Sequence, residues 1–479
     1  MAVTDRLPQQ PLQVDAVVVG MGPGGEEVAG RLADAGLDVV GVDERLVGGE
    51  CPYWGCIPSK IMVRAAGLVA EAHRIPGTVG TAMVHPDWRP VARRLRAVTD
   101  EWDDKAAVDR FTTRGGRFVR GRGVLTAPGE VTVETSDGAE VVLRPRRAVV
   151  LAVGSEPAVP PVPGLSAVPY WTNRDVVEAD RPPASLLVLG GGAVGLELGQ
   201  ALQRLGTAVT VVEAAPRLLG REEPEAGELL VRALTGDGLE VHTGTALTSV
   251  AYDGDRVTAC CVRGERLAAE RLLVSAGRRV DLARFGAGVL GVDDTAPALP
   301  VDARMRVLAP GVPGASGPRG PGPGVWAVGD VTGHGAFTHM AVYQADVAVR
   351  AILGRGGPRA EYHAVPRVTF TDPEVGAVGL TEAQARERGT AVRIGRADTA
   401  ATDRGLTHGP GADGFVKLVA DADAGTLAGG TVAGPYASEM LGALSVAVAA
   451  RVPVAELRQT VWAFPTFHRA IGDALRQLA

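Results

Sequence analysis

Apolar runs that end on glycine set the rhythm of this chain. Residues 14–19 are mostly apolar and lead into Gly20-Met21-Gly22-Pro23-Gly24-Gly25. Apolar pairs then recur at helical spacing, Val28-Ala29 and Leu32-Ala33, before a second run at 39–42 closes on Asp43-Glu44. That order predicts strand, glycine turn, helix, strand and acid. It returns at Leu186-Leu187-Val188-Leu189, followed by Gly190-Gly191-Gly192-Ala193-Val194-Gly195, a helical pattern through Leu205 and a run at 208–212 that ends on Glu213.

Between these units residues 88–111 read as helix, 118–134 as short strands, and 148–155 as a strand that meets a turn at Gly154 before the proline-rich stretch 157–163, a domain boundary. Alternating patterns at 257–262 and 271–275 predict a meander that closes at Gly277-Arg278, with Cys260 and Cys261 as packing residues. Residues 308–324 turn to glycine and proline, which predicts a flexible surface loop. A short strand then ends at Gly329-Asp330, and a helix follows over about 336–353. From residue 362 onward, strands at 367–370 and 415–419 alternate with helices at 382–388 and 437–450 without a glycine fingerprint, a third domain with no nucleotide of its own.

The glycine turns carry the first chemistry. They let backbone approach a pyrophosphate at a helix N-terminus, and an acid roughly 20 residues on can bind a ribose hydroxyl. A lone fingerprint is weak evidence, but here strand, helix and terminal acid fall in register twice. Two such sites predict two cofactors. Glu213 favours a free 2′-hydroxyl, so NADH over NADPH; Arg217 and Arg221 lie near enough to keep NADPH open.

The stretch Gly48-Gly49-Glu50-Cys51-Pro52-Tyr53-Trp54-Gly55-Cys56-Ile57-Pro58-Ser59-Lys60 carries the second chemistry, because it holds two of only four cysteines just before a helical pattern. A helix N-terminus stabilises a thiolate, and Pro58 in the first turn makes Cys56 the helix-entry residue, leaving Cys51 on the preceding loop. The competing readings are a structural disulfide and a metal half-site. Zinc needs a second ligand pair, and the adjacent Cys260 and Cys261 in a strand supply poor geometry, so redox chemistry is favoured and no metal is expected.

A length of 479 residues with 46% hydrophobic content predicts a globular protein of roughly two to four domains. A net charge of -6 and sparse aromatics argue against nucleic-acid binding. The first thirteen residues lack a signal-peptide pattern and no window holds about 18 uninterrupted apolar residues, so a cytoplasmic protein without a membrane span is expected. In a reducing cytosol a close cysteine pair is catalytic more often than structural. Lysine is rare: Lys60, Lys105 and Lys417 are all there are, which makes one inside the cysteine motif notable.

With these pieces in order, the chain resembles the flavin disulfide oxidoreductases of the dihydrolipoamide dehydrogenase, glutathione reductase and mercuric reductase type over nearly its whole length. The stretch GGECPYWGCIPSK is similar to that family's GG-x-C-x4-C-x-PSK motif, and VVVGMGPGG, LAVGSEP, VLGGGAVGLELG, SAGRR and WAVGDVT follow in the family's order. The resemblance implies an α/β fold with two Rossmann-like domains, one for FAD and one for NAD(P)H, and an α+β dimerisation domain. Its segments would be 1–155 and 288–360 for FAD, 156–287 for NAD(P)H and 361–479 for dimerisation. It implies a homodimer whose active site is shared between subunits and which acts on a small molecule. Carried over, Gly20, Gly22, Gly25 and Asp43 would hold the FAD adenosine half, and Asp330 the ribityl chain. Gly190, Gly192, Gly195 and Glu213 would position the nicotinamide nucleotide, and Gly49, Gly154, Gly329 and Gly277 would be further cofactor-binding positions. Cys56 would be the flavin-proximal sulfur, Cys51 the interchange thiol that meets substrate, and Lys60 would pair with Glu197 beside the flavin.

One departure bears on function. The family's reductases carry His-Pro-Thr near the C-terminus with a glutamate five residues after the histidine, whereas this chain reads Phe464-Pro465-Thr466-Phe467-His468-Arg469. A phenyl ring at 464 cannot shuttle protons, and Arg469 stands at the glutamate position. His468 is the remaining candidate acid or base, against the alternative of an exposed histidine at a helix start. The pattern resembles the branch represented by 2-ketopropyl-coenzyme M oxidoreductase/carboxylase, in which loss of the proton source lets a carbanion meet carbon dioxide. Tyr53 and Trp54, bulky for the cysteine loop, suggest a reshaped substrate side. The leading expectation is an FAD- and NAD(P)H-dependent oxidoreductase that uses Cys51 and Cys56 on a non-standard disulfide or thioether. The alternatives are a carboxylase-like relative and a flavin-binding redox-sensing subunit without turnover.

Overall fold

The computed structural model describes residues 11–312 and 322–478. Most of the stretch read for a signal peptide, and 313–321 of the glycine- and proline-rich segment, therefore lie outside the described residues. The chain divides into two compact units, Met1–Pro58 with Arg96–Pro157 and Arg278–Glu361, and Ser59–Leu95 with Ala158–Gly277 and Tyr362–Ala479.

In the first unit a parallel sheet runs in the order Gly324–Ala327, Glu140–Leu151, Leu12–Val19, Val39–Asp43, Arg117–Ala127. Its central strand is buried on both faces, as its continuous apolar run requires: Ala16, Val17 and Val18 have no exposed surface. The strands at 117–127 and 140–151 are long because each does two jobs. One half joins the parallel sheet; the other pairs antiparallel with Glu130–Thr135. The helix Pro23–Asp34 crosses between the first two strands and buries Val28, Ala29 and Leu32.

In the second unit the strands Arg271–Val274, Ser185–Leu189, Ala208–Val212 and Glu240–His242 form a parallel sheet, with the helix Ala193–Arg204 as the first crossover. A three-stranded antiparallel sheet, Leu247–Tyr252, Val257–Cys261 and Arg266–Ala269, turns Cys261 inward to 4% exposure and Cys260 outward. A five-stranded antiparallel sheet carries the C-terminal segment, and its core is closed by the helices Ala437–Ala449 and Arg469–Arg476. Lys417 is buried there at 6% side-chain exposure, with Glu223, Glu225 and Glu382 at 2.9, 2.8 and 3.0 Å.

Two expectations need correction. The helix predicted over 88–111 is broken: Trp88–Val98 and Lys105–Thr113 are separate helices. After Val98 the apolar repeat lapses into Thr-Asp-Glu-Trp-Asp-Asp. Carboxylates are unfavourable at a helix C-terminus and favourable at the next N-terminus. Asp100, Glu101 and Trp102 turn left-handed instead, at φ 51°, 52° and 62°, a conformation that costs a non-glycine residue about 1–2 kcal/mol. Cys51, expected on a loop, lies in a one-turn helix, Glu50–Tyr53. Among the described residues no helix is long and apolar enough to cross a membrane.

Candidate active site

In the first unit Gly20 and Gly22 stand between the central strand and the helix Pro23–Asp34, and Gly25 lies in that helix's first turn, as the fingerprint predicts. Gly22 caps that helix with no side chain, and an added Cβ there would stand no closer than 4.0 Å to its nearest neighbour, Gly49 Cα. Gly49 closes the same cradle: its φ is 68°, and a Cβ on it would fall 2.7 Å from Gly22 Cα. A helix N-terminus bordered by two bare glycines is what a diphosphate needs. Asp43 ends the second strand; its carboxylate accepts the Met21 N–H at 2.7 Å and the Arg45 N–H at 2.8 Å. Burial raises its pKa, and those two amides oppose the rise.

Gly154, Gly329 and Asp330 also lie in this unit. The Asp330 carboxylate accepts the Ser155 hydroxyl at 2.6 Å. Arg278 Nε donates to the same hydroxyl oxygen at 2.7 Å, and its Nη2 donates to the Ser155 carbonyl at 2.6 Å. Gly329 gives its N–H to Gln344 at 2.7 Å. The bare cradle, an acid at the end of the second strand and an acid fixed by Ser155 fit the diphosphate, ribose and polyol parts of FAD.

Cys56 opens the helix Cys56–His73 and stands 3.2 Å from the Thr338 hydroxyl. The Cys51 thiol is pushed well up, first by its hydrogen bond with Cys56 and then by burial, against the pull of Thr338. Raised in this way, the Cys51 thiol holds its proton at neutral pH. Thr338, at the start of the helix Thr338–Ile352, carried no motif signal beyond its place after Gly329-Asp330.

The second unit brings Lys60 and Glu197 together at 2.6 Å, with Glu197 at 5% and Lys60 at 35% side-chain exposure. The other Glu197 oxygen accepts the backbone N–H of Phe370 at 2.8 Å, and the Lys60 ammonium lies 4.6 Å from the centre of the Phe370 ring. Sequence reasoning missed Phe370.

Gly190 and Gly192 sit between the strand Ser185–Leu189 and the helix Ala193–Arg204, Gly195 lies in that helix's first turn, and Gly277 follows the strand Arg271–Val274. Glu213 repeats the arrangement of Asp43: its carboxylate accepts Gly191 N–H at 2.6 Å and Ala215 N–H at 2.7 Å. The Arg217 guanidinium is turned to the carbonyls of Leu219, Gly220 and Glu222 at 3.2, 2.7 and 2.7 Å.

Phe464 is 66% exposed. The Arg469 guanidinium stands 5.8 Å from the centre of its ring. His468 precedes the helix Arg469–Arg476 as its cap, half-buried, and stacks on Trp462 with centroids 6.0 Å apart and planes 15° apart. Among the described residues no group of three or more His, Cys, Asp or Glu is placed to hold a metal ion.

The sequence profile described as pyridine nucleotide-disulphide oxidoreductase matches residues 14–345, and that of the family's dimerisation domain matches 365–475. The chain is 33% identical over 470 residues to a dihydrolipoyl dehydrogenase of Chlorobaculum tepidum, covering 96% of each. It is 32% identical over 459 residues to a mercuric reductase of Acidithiobacillus ferrooxidans, covering 95% of this chain and 80% of that one. LpdA from Mycobacterium tuberculosis superposes with a TM-score of 0.82 at 26% identity, covering 97% of this chain and all of that one. The flavoprotein disulfide reductase RclA of Escherichia coli shares the fold at a TM-score of 0.83 and 22% identity, over 98% of this chain and 100% of that one.

Proposed function

The chain belongs to the pyridine nucleotide-disulphide oxidoreductase family, and we propose that it uses NADH to reduce a Cys51–Cys56 disulfide and passes the electron pair to a disulfide or thioether outside the usual dithiol set. The family assignment carries FAD- and NAD(P)H-dependent disulfide oxidoreductase chemistry and a homodimer built on the dimerisation domain. FAD, when bound, supplies two-electron transfer between nicotinamide and sulfur. The residues that would hold it are Gly20, Gly22, Gly25, Gly49 and Asp43 on the nucleotide side, and Gly154, Gly329 and Asp330 on the polyol side. Gly190, Gly192, Gly195, Glu213 and Gly277 would hold the nicotinamide nucleotide. Arg217 is committed to three loop carbonyls, which supports NADH. The segments 1–155, 156–287, 288–360 and 361–479 are our proposed domain division, and a cytoplasmic location our proposed setting.

The observation that carries the reading is the asymmetry of the cysteine pair: Cys56 lies at a helix start beside a hydroxyl, and Cys51 holds its proton. Reduction breaks the S–S bond and leaves two electrons on sulfur. Cys56 is the sulfur placed to remain as thiolate, and Cys51 becomes the attacking nucleophile once deprotonated. In family members a histidine does that work; in the homodimer each copy's Phe464 segment would complete the other's site. Lys60 and Glu197 form an ion pair within the second unit, which the resemblance would set beside the flavin. Anaerobic NADH addition tests the reading. Two new titratable thiols per chain are expected, and none in Cys56→Ser. A parent chain that gains no thiols refutes it.

Phe464 and Arg469 in place of an acid-base pair favour a second reading, a carboxylase-like thioether cleavage. Turnover of a thioether ketone that depends on carbon dioxide would establish it.

A further inference from the structure

The turn that breaks the predicted helix has a use in the first unit. Asp100, Glu101 and Trp102 keep left-handed φ values without a glycine among them, which persists only where surrounding contacts over-determine it. Trp102 of the turn, and Asp104 just past it, reach the redox loop. Trp102 Nε1–H donates to the Tyr53 carbonyl at 3.3 Å. Asp104, 8% exposed, accepts the Val47 N–H at 2.6 Å and is held in turn by Arg120 at 2.5 Å. Val47 and Tyr53 bound the segment that contains Cys51. Between them the chain reverses at Gly48 and Gly49, with φ 107° and 68°, and enters the one-turn helix.

We propose that this turn is a clamp on the redox loop, with Trp102 as a positioning residue that lowers the reduction potential of the Cys51–Cys56 pair. The proposal rests on the redox reading above. Closing the disulfide joins the two sulfurs and releases two electrons and two protons to an acceptor; it requires Cys51 at one place relative to Cys56. The dithiol tolerates several places. Tethering both ends of a seven-residue segment, 47–53, removes freedom that closure would otherwise cost. The clamp therefore favours the disulfide. Trp102 acts through the backbone of Tyr53.

The test equilibrates the FAD-loaded full chain with dithiothreitol at graded ratios of reduced to oxidised form and counts protein thiols at each. Each protein disulfide reduced to two thiols is matched by two dithiothreitol thiols closing to its cyclic disulfide. Trp102→Phe keeps a ring and loses the N–H. It is expected to shift the midpoint ratio about tenfold toward the dithiol, about 30 mV more positive, and to speed amide exchange across residues 47–54. Glu101→Gly eases the left-handed turn without removing either clamp bond. It is expected to change the unfolding temperature and leave the midpoint in place. A parental midpoint or parental exchange in Trp102→Phe overturns the clamp; Trp102→Leu carries the same expectations should the first variant fail to fold. A parent chain in which dithiothreitol reduces no disulfide, or whose Cys56→Ser variant gains the same thiols, instead overturns the redox reading itself.

Discussion

Phe370 donates its backbone N–H to Glu197 at 2.8 Å, so the carboxylate that pairs with Lys60 is held from both sides by groups 173 and 137 residues away in sequence. Removing Lys60 leaves a carboxylate of 5% exposure without its cation. Such losses cost several kcal/mol when both partners are buried; with Lys60 partly solvated, about 2 kcal/mol is expected for Lys60→Met. A double-mutant cycle with Glu197→Gln in urea unfolding measures the coupling. A coupling near zero would show that the pair is held for geometry alone.

The raised Cys51 thiol fixes the sign of a pH effect. Below a raised pKa the thiol stays protonated, so the thiolate fraction grows with pH, about tenfold per unit until the pKa is reached. Alkylation of the NADH-reduced enzyme by iodoacetamide at pH 7 and pH 9, with peptide mapping, reads this out. Cys51 is expected to gain steeply between the two pH values. A flat profile at Cys51 would contradict the protonated resting thiol.

If proton transfer is what Phe464 withholds, restoring the pair should restore dithiol chemistry. Phe464→His with Arg469→Glu is expected to raise NADH-dependent lipoamide reduction near neutral pH by about 100-fold. Turnover no faster than the parent's would place the substrate preference elsewhere.

Lys417 meets three carboxylates, one of them, Glu223, at 2% side-chain exposure. Lys417→Met is expected to cost about 3 kcal/mol at pH 7. Burial works against Glu225, yet the Lys417 hydrogen bond holds its pKa below the usual range; Lys417 likewise lowers Glu382. Burial pulls Lys417 down, and its three partners raise it above the ordinary lysine value. The lowered carboxylates make their contribution in full above the unfolded glutamate pKa of about 4.3 and lose it as pH falls through their folded values. The raised lysine makes its own in full below about pH 10.4 and loses it as pH climbs through its folded value. The gap between parent and variant in urea midpoints should therefore be widest near neutrality and narrow in acid. A gap independent of pH would refute the ionic account.

At the second fingerprint, Glu213→Ala is expected to weaken NADH by about tenfold in KM, the loss of one charged hydrogen bond, with a smaller change for NADPH. A larger loss for NADPH would reverse the assignment of Glu213 and Arg217.

The glycine turns and the acids that close them were readable because both are residue-type requirements: only a missing side chain leaves room for a diphosphate, and Asp43 and Glu213 bind their turn amides in the same way. The cysteine pair was readable from spacing. Lys60 and Glu197 were not paired by any local pattern and came from resemblance, since nothing near either position names a partner so far along the chain. Phe370 and Thr338 escaped notice because one acts through a backbone amide and the other through a common hydroxyl. The turn at 100–102 lacked the glycine or asparagine that usually announces a left-handed residue, so the helical reading ran through it.

The scarcity of lysine has a practical side. Lys417 is enclosed at 6% side-chain exposure and Lys60 is held in its ion pair, while Lys105 stands 74% exposed beside Asp109. Apart from the chain's α-amino group, an amine-reactive dye or cross-linker should attach at a single position per subunit. That gives a ready fluorescent or surface-immobilisation handle at the head of the helix following the Trp102 turn, where its emission would report on motion of that turn.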